Sequence, residues 1–172
     1  MAEQVALVGA GVIGAGWAAR MVLSGLDVAV ADPSPEAPEF VERIVDQAAE
    51  AWHGLELATD QRGELRFVDS VADAVDGAAF VQESVPERLD LKREVLIHIE
   101  AAAHVDTLIA SSTSGFKPTD LARDMGHPKR LVVGHPYNPV YLLPVVEVVG
   151  GEQTTEAAIQ AATAFYLSLI HI

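Results

Sequence analysis

Two groups of residues in this chain have the types and spacing that chemistry needs. The first is Gly9, Gly11 and Gly14 followed by Asp32, within VALVGAGVIGAGWAARMVLSGLDVAVAD. Gly9 and Gly11 permit a tight turn in which bare backbone approaches a pyrophosphate, and Gly14 lets a helix pack close to a strand. A helix opening there offers unpaired N–H groups and a positive dipole end to phosphates. Asp32 is placed to accept hydrogen bonds from adenosine ribose hydroxyls, and its charge repels a 2′-phosphate. The pattern therefore reads as a site for NAD rather than NADP. A glycine-rich turn in an unrelated α/β protein shares the glycines, but not the strand, helix and acid together.

The second group lies near the other end. His135 stands in His135-Pro136-Tyr137-Asn138-Pro139, where two prolines limit helical and ladder freedom and make a stiff segment. Such a frame suits an imidazole that must be held still, although a lone histidine in a loop is often incidental. Glu147 sits inside the apolar run Val145 to Val149. A carboxylate there either faces solvent on an alternating strand or is buried beside a partner. No Lys or Arg follows Arg130, which leaves histidine as the nearest charge partner, so a His135–Glu147 pair is a reasonable hypothesis. Between the groups, Ser111-Ser112-Thr113-Ser114-Gly115 sets four hydroxyls before a glycine, either a polar cap for the next helix or a ligand-facing loop.

These residues need a scaffold. Val5 to Val8, Val28 to Ala31, Leu65 to Val68, Ala78 to Glu83, Thr107 to Ala110, Leu131 to Gly134 and Val145 to Val149 read as strands. Helices are expected from Ile13 to Leu23, Glu39 to Trp52, Val71 to Val75 (capped by Ser70), Glu87 to about Ala103, near Pro118 to Ala122, and from Thr154-Thr155-Glu156 to about Leu167. Trp17 and Trp52 read as core. This alternation predicts a doubly wound, mostly parallel α/β sheet with helices on both faces, a Rossmann-type NAD-binding domain. Glu83 and Glu87 fall at the strand-to-helix edge where such sheets hold ligands, although a solvated helix face with paired charges explains the neighbouring residues equally well.

Composition narrows the field. The 172 residues contain 11 Lys and Arg against 25 Asp and Glu, a formal charge of −14. That balance disfavours nucleic acid and anionic membranes as partners. No apolar run spans a bilayer and no signal-peptide pattern opens the chain, so a cytoplasmic protein is expected. The absence of cysteine excludes disulfides and thiolate chemistry, and no metal site is expected.

Four stretches, GAGVIGAGWA, VQESVPERLDLK, SSTSG and GHPYNPVYLLPVVEVVGG, together resemble the NAD-dependent L-3-hydroxyacyl-CoA dehydrogenase family, and within it the L-carnitine dehydrogenase branch. The resemblance runs from about Gln4 to Tyr166. It implies His135 as catalytic base, Glu147 as its acidic partner, Ser114 as the substrate-binding serine and Asn138 as a residue shaping the site. It implies Glu87 and Lys92 as contacts to the nicotinamide end of NAD. It also implies a small 3-hydroxy acid as substrate, with Tyr137 and Tyr141 as aromatic faces for a trimethylammonium group. Two other readings stay open: 3-hydroxyacyl-CoA dehydrogenase chemistry, and a non-catalytic NAD-binding or crystallin-like structural role.

The chain departs from the family at its end. Relatives continue into an all-helical C-terminal domain that completes the pocket and usually makes the homodimer interface. Here residues 1–166 are expected to form the NAD-binding domain, and 167–172 a non-native tail in which His171 has no role. A fragment of this kind is expected to bind NAD and to turn over little substrate alone.

Overall fold

A computed structural model describes residues 4–57 and 61–169. The first apolar run forms β1 (Gln4–Val8), and the second forms β2 (Asp27–Ala31). They flank α1 (Val12–Leu23) in the expected βαβ order. The chain continues through α2 (Ala37–Gly54), β3 (Leu65–Val68), α3 (Val71–Val75), β4 (Phe80–Glu83) and α4 (Leu89–Ala102). It ends with β5 (Leu108–Ser111), α5 (Pro118–Leu121), β6 (Leu131–Pro136), β7 (Val146–Gly150) and α6 (Glu156–Ser168). Among the described residues, no helix is long and apolar enough to cross a membrane.

The strands make one sheet in the order β3-β2-β1-β4-β5-β6-β7, parallel except for β7, which runs antiparallel to β6. Successive side chains on a strand point to opposite faces. Val5, Leu7, Val28 and Val30 join one core with Trp17, Val45 and Ala162 from α1, α2 and α6. Ala6, Val8, Ala29 and Ala31 join the other with Val75, Leu96 and Leu121 from α3, α4 and α5. Burial on both faces explains why the inner strands read as unbroken apolar runs rather than as alternating ones. Ser70 accepts the Asp73 amide at 3.0 Å, and Thr155 caps α6 through the Ala158 amide. Each cap is worth about 1 kcal/mol.

The structure differs from the sequence expectation in two places. The stiff proline-bracketed segment is not all loop: β6 extends through His135 and Pro136 because β7 supplies an antiparallel partner, with Tyr137 N–H reaching the Val145 carbonyl at 3.3 Å. Helix α4 begins at Leu89 rather than Glu87, and the Glu87 side chain is engaged by another loop. At the C-terminal end α6 passes Tyr166 and Leu167 to Ser168, and Leu169 is buried with its carbonyl accepting Arg20 Nη1–H at 2.9 Å. His171 and the rest of 170–172 lie outside the described residues.

Candidate active site

The glycine turn joins β1 to α1, and its three glycines do different things. Gly9 has φ +97°, in the left-handed region, and a Cβ there would lie 2.7 Å from the Ser84 carbonyl. A Cβ on Gly14 would lie 1.9 Å from the Gly9 oxygen, so that glycine is demanded by packing. A Cβ on Gly11 would meet no protein atom within 4 Å. Gly11 is also the N-cap of α1 and supplies no side-chain cap, so the first-turn amides have no side-chain acceptor there. Asp32, at the end of β2, accepts Ala10 N–H at 2.7 Å on one oxygen and Ser34 N–H at 2.8 Å on the other. A carboxylate has about four lone-pair sites, so capacity remains for ligand hydroxyls.

From this turn a cleft of about 1070 Å³ runs along the C-terminal ends of the strands, past Asp32, Gly11, Ser84 and Ser114 to His135. Its position follows from topology. The chain leaves β1 on one side towards β2 and returns on the other as β4, and the crossovers on the two sides diverge above the strand ends.

At the far end of the cleft, His135 and Glu147 are cross-strand partners on β6 and β7. His135 Nδ1 lies 2.9 Å from Glu147 Oε2, with the imidazole 26% exposed and the carboxylate 56%. An ionised carboxylate only accepts, so Nδ1 carries the hydrogen and the neutral ring keeps its lone pair on Nε2. Tyr137 donates its hydroxyl to the other Glu147 oxygen at 3.4 Å.

The hydroxyl loop after β5 is held from the side. Glu87 Oε1 accepts the Thr113 hydroxyl at 2.5 Å and the amides of Ser114 and Gly115 at 3.0 and 3.2 Å. Behind it, the buried Lys92 ammonium reaches Glu83 Oε1 at 2.8 Å, the Val85 carbonyl at 3.0 Å and Glu87 Oε2 at 3.5 Å. Glu83 is fully buried and also accepts the Ser111 hydroxyl at 2.5 Å and the Val85 amide at 2.7 Å. Burial pushes the Glu83 carboxyl up, against the opposing pull of Lys92 and these donors. Burial also acts on Glu87, but the Thr113 hydroxyl, Lys92 and the two loop amides outweigh it and hold its carboxyl below the usual range.

Of the residues singled out from sequence, Gly9, Gly11, Asp32, Glu87, Lys92, Ser114 and His135 line this one cleft. Gly14 sits beneath the turn, and Glu147 stands behind the imidazole. Asn138 is exposed beyond the end of β6, before a cis bond to Pro139, and does not line the cleft. Sequence reasoning gave no role to Gln82 or Ser84, which meet Ser112 of the hydroxyl loop at the cleft. A glutamine beside Glu83 at the end of a fully buried strand was the available signal.

The family model described as 3-hydroxyacyl-CoA dehydrogenase, NAD binding domain, matches residues 4–170. The chain belongs to this family. It is 51% identical over 169 residues to L-carnitine dehydrogenase of Mesorhizobium japonicum, covering 97% of this chain and 46% of that protein. It is 48% identical over 171 residues to L-carnitine dehydrogenase of Oceanobacillus iheyensis, covering 97% of this chain and 55% of that one. The chain thus spans about half the length of these curated relatives.

Among solved structures it matches an NAD+-dependent 5-formyl-3-hydroxy-2-methylpyridine 4-carboxylic acid 5-dehydrogenase with a TM-score of 0.91 and 33% identity, covering 100% of this chain and 56% of that one. It matches (S)-3-hydroxybutyryl-CoA dehydrogenase of Ralstonia eutropha with a TM-score of 0.87 and 27% identity, covering 98% and 61%. The residues present fit the family's cofactor, NAD. Open space over Gly11, the α1 amides and the Asp32 carboxylate provide a phosphate cradle and a ribose acceptor.

Proposed function

We propose that this domain serves an enzyme that oxidises the 3-hydroxyl of L-carnitine, or of a similar small 3-hydroxy acid, to the 3-oxo acid. The observation that carries this reading is the 2.9 Å contact between His135 Nδ1 and Glu147, on the wall of a cleft whose other end fits NAD. His135 Nε2 takes the proton of the substrate hydroxyl. Glu147 holds the ring by Nδ1 and stabilises the charge the ring gains. Ser114, whose hydroxyl has no hydrogen-bond partner among the described residues, donates to the reacting oxygen. NAD, when bound, supplies the hydride acceptor. In the reverse direction the charged imidazole returns its proton to the same oxygen. Glu87 and Lys92 serve the nicotinamide end by bracing the loop that carries Ser114.

The substrate assignment draws on the L-carnitine dehydrogenases that the chain resembles. It also draws on charge: 11 Lys and Arg against 25 acids leave little to meet the phosphates of coenzyme A. Tyr137, 44% exposed and with its ring 5.6 Å from that of His135, offers an aromatic face to a trimethylammonium group. The family description favours a second reading, oxidation of a 3-hydroxyacyl-CoA. In either case the rest of the pocket and a homodimer interface come from a C-terminal helical domain.

The test joins residues 1–166 to the C-terminal region of the Mesorhizobium japonicum relative and follows NADH formation. L-carnitine should be turned over and 3-hydroxybutyryl-CoA should not; the opposite preference overturns the substrate. In the same protein His135→Gln should lower turnover about 10²- to 10⁴-fold while NAD binding persists. Unchanged turnover removes the base.

A further inference from the structure

A buried chain of hydrogen bonds that neither the glycine turn nor the His135–Glu147 pair uses runs from α6 to the cleft. Tyr166 Oη donates to Gln82 Oε1 at 2.6 Å. Gln82 Nε2 donates to Ser112 Oγ at 2.8 Å, and the Ser112 and Ser84 hydroxyls lie 2.8 Å apart. Gln82 is fully buried, and Tyr166 is 4% exposed. Ser112 and Ser84 are half-buried and line the cleft.

The direction of this chain is fixed by counting donors and acceptors. Burial pushes the Tyr166 phenol well above its usual value, so it keeps its proton. The Gln82 amide has one sensible orientation. Its nitrogen faces the Gly134 carbonyl at 3.4 Å, and a flipped amide would set oxygen against oxygen there. Ser112 Oγ receives Gln82 Nε2–H, and Trp17 Nε1–H from 3.3 Å. Both lone pairs are then in use, so the Ser112 hydrogen goes to Ser84 Oγ. Ser84, having accepted, must send its own hydrogen elsewhere, and no further protein acceptor for it occurs among the described residues. Room for the chain is built into the backbone: a Cβ on Gly134 would lie 1.9 Å from Tyr166 Oη.

We infer that the Tyr166–Gln82–Ser112 chain fixes Ser84 Oγ as a hydrogen-bond donor to an oxygen of the bound dinucleotide's pyrophosphate or nicotinamide-side ribose. Ser84 adjoins the turn that cradles phosphate, with its carbonyl against Gly9 and its Cβ 3.4 Å from where a Gly14 Cβ would stand. A hydroxyl with a settled orientation loses less freedom on binding than one that rotates, so the remote residues strengthen the contact without touching the ligand. Ser112 is accordingly a positioning residue. The inference rests on the assignment of NAD to this cleft.

The test measures the affinities of the 172-residue chain for NAD, ADP-ribose and AMP by calorimetry. If the unsubstituted chain fails to bind NAD, the cofactor assignment fails, and this inference with it. Given binding, Ser84→Ala should weaken NAD and ADP-ribose about tenfold and leave AMP unchanged. Unchanged NAD affinity overturns the contact, a loss for NAD alone moves it off the pyrophosphate and ribose, and an equal loss for AMP shows that Ser84 acts on the fold. Ser112→Ala should cost about threefold, and adding it to Ser84→Ala should cost nothing more. Additive losses would overturn the chain.

Discussion

Gly11 and Gly14 stand three positions apart in the same turn, and substitution should separate their roles. At Gly14 the added methyl meets backbone, the Gly9 oxygen, which cannot rotate away. Gly14→Ala should destabilise the chain by about 3 kcal/mol or more, read as a large fall in thermal midpoint. Gly11 has φ −65°, which alanine adopts readily, and open space beyond it. Gly11→Ala should keep the thermal midpoint and lose NAD affinity about tenfold, because its methyl occupies the space a phosphate needs. Equal losses of stability in the two variants would remove the distinction. The motif's spacing is plain in the sequence. The sequence also suggests Gly14 for packing. That the Gly9 oxygen is what it meets, and that Ser84 crowds Gly9 while Gly11 faces open space, is visible only in the folded turn.

At the scale of elements, the brace around Glu87 ties α4 to the loop after β5. Its carboxyl is held below the usual range, so it binds fewer protons folded than unfolded. Its contribution to stability is therefore present above the unfolded value of about 4.3 and lost as pH falls through the lower folded one. Glu83, raised by burial, works in the opposite sense and loses its contribution as pH rises through its folded value. Thermal midpoints of the parent and Glu87→Gln, measured from about pH 7 down to about pH 3, isolate the first effect. The variant should be less stable near neutrality, and the gap should close in acid. A gap independent of pH would mean that Glu87 braces the loop by shape alone. The sequence places Glu87 at a strand-to-helix edge. It does not reveal that the carboxylate grips three donors from a loop 26 to 28 residues later.

The whole molecule carries a formal charge of −14 and binds an anion. The two facts are compatible because the cradle offers backbone N–H groups and a helix end at short range, while the net charge acts at long range. Raising ionic strength from about 10 to about 150 mM shortens the Debye length from roughly 30 to roughly 8 Å. The association rate of NAD should therefore rise with salt, as read by stopped-flow fluorescence. A falling rate would mean that the cleft itself is electropositive enough to steer the cofactor in.

The sequence alone determined the βαβ unit, the doubly wound sheet and the cofactor, because each is written in local pattern: glycine spacing, apolar period and a carboxylate at a strand end. It also supplied His135 and Glu147 as candidates, since a charged residue in an apolar run without nearby Lys or Arg has few partners. Tertiary structure alone decided that the two meet at 2.9 Å, through the antiparallel return of β7 against β6. It alone joined Tyr166, Gln82, Ser112 and Ser84 into one directed chain, from three stretches far apart in sequence: the end of β4, the loop after β5, and α6. Hydrogen-bond direction is a property of the closed network, and no stretch of chain contains enough of it to be read.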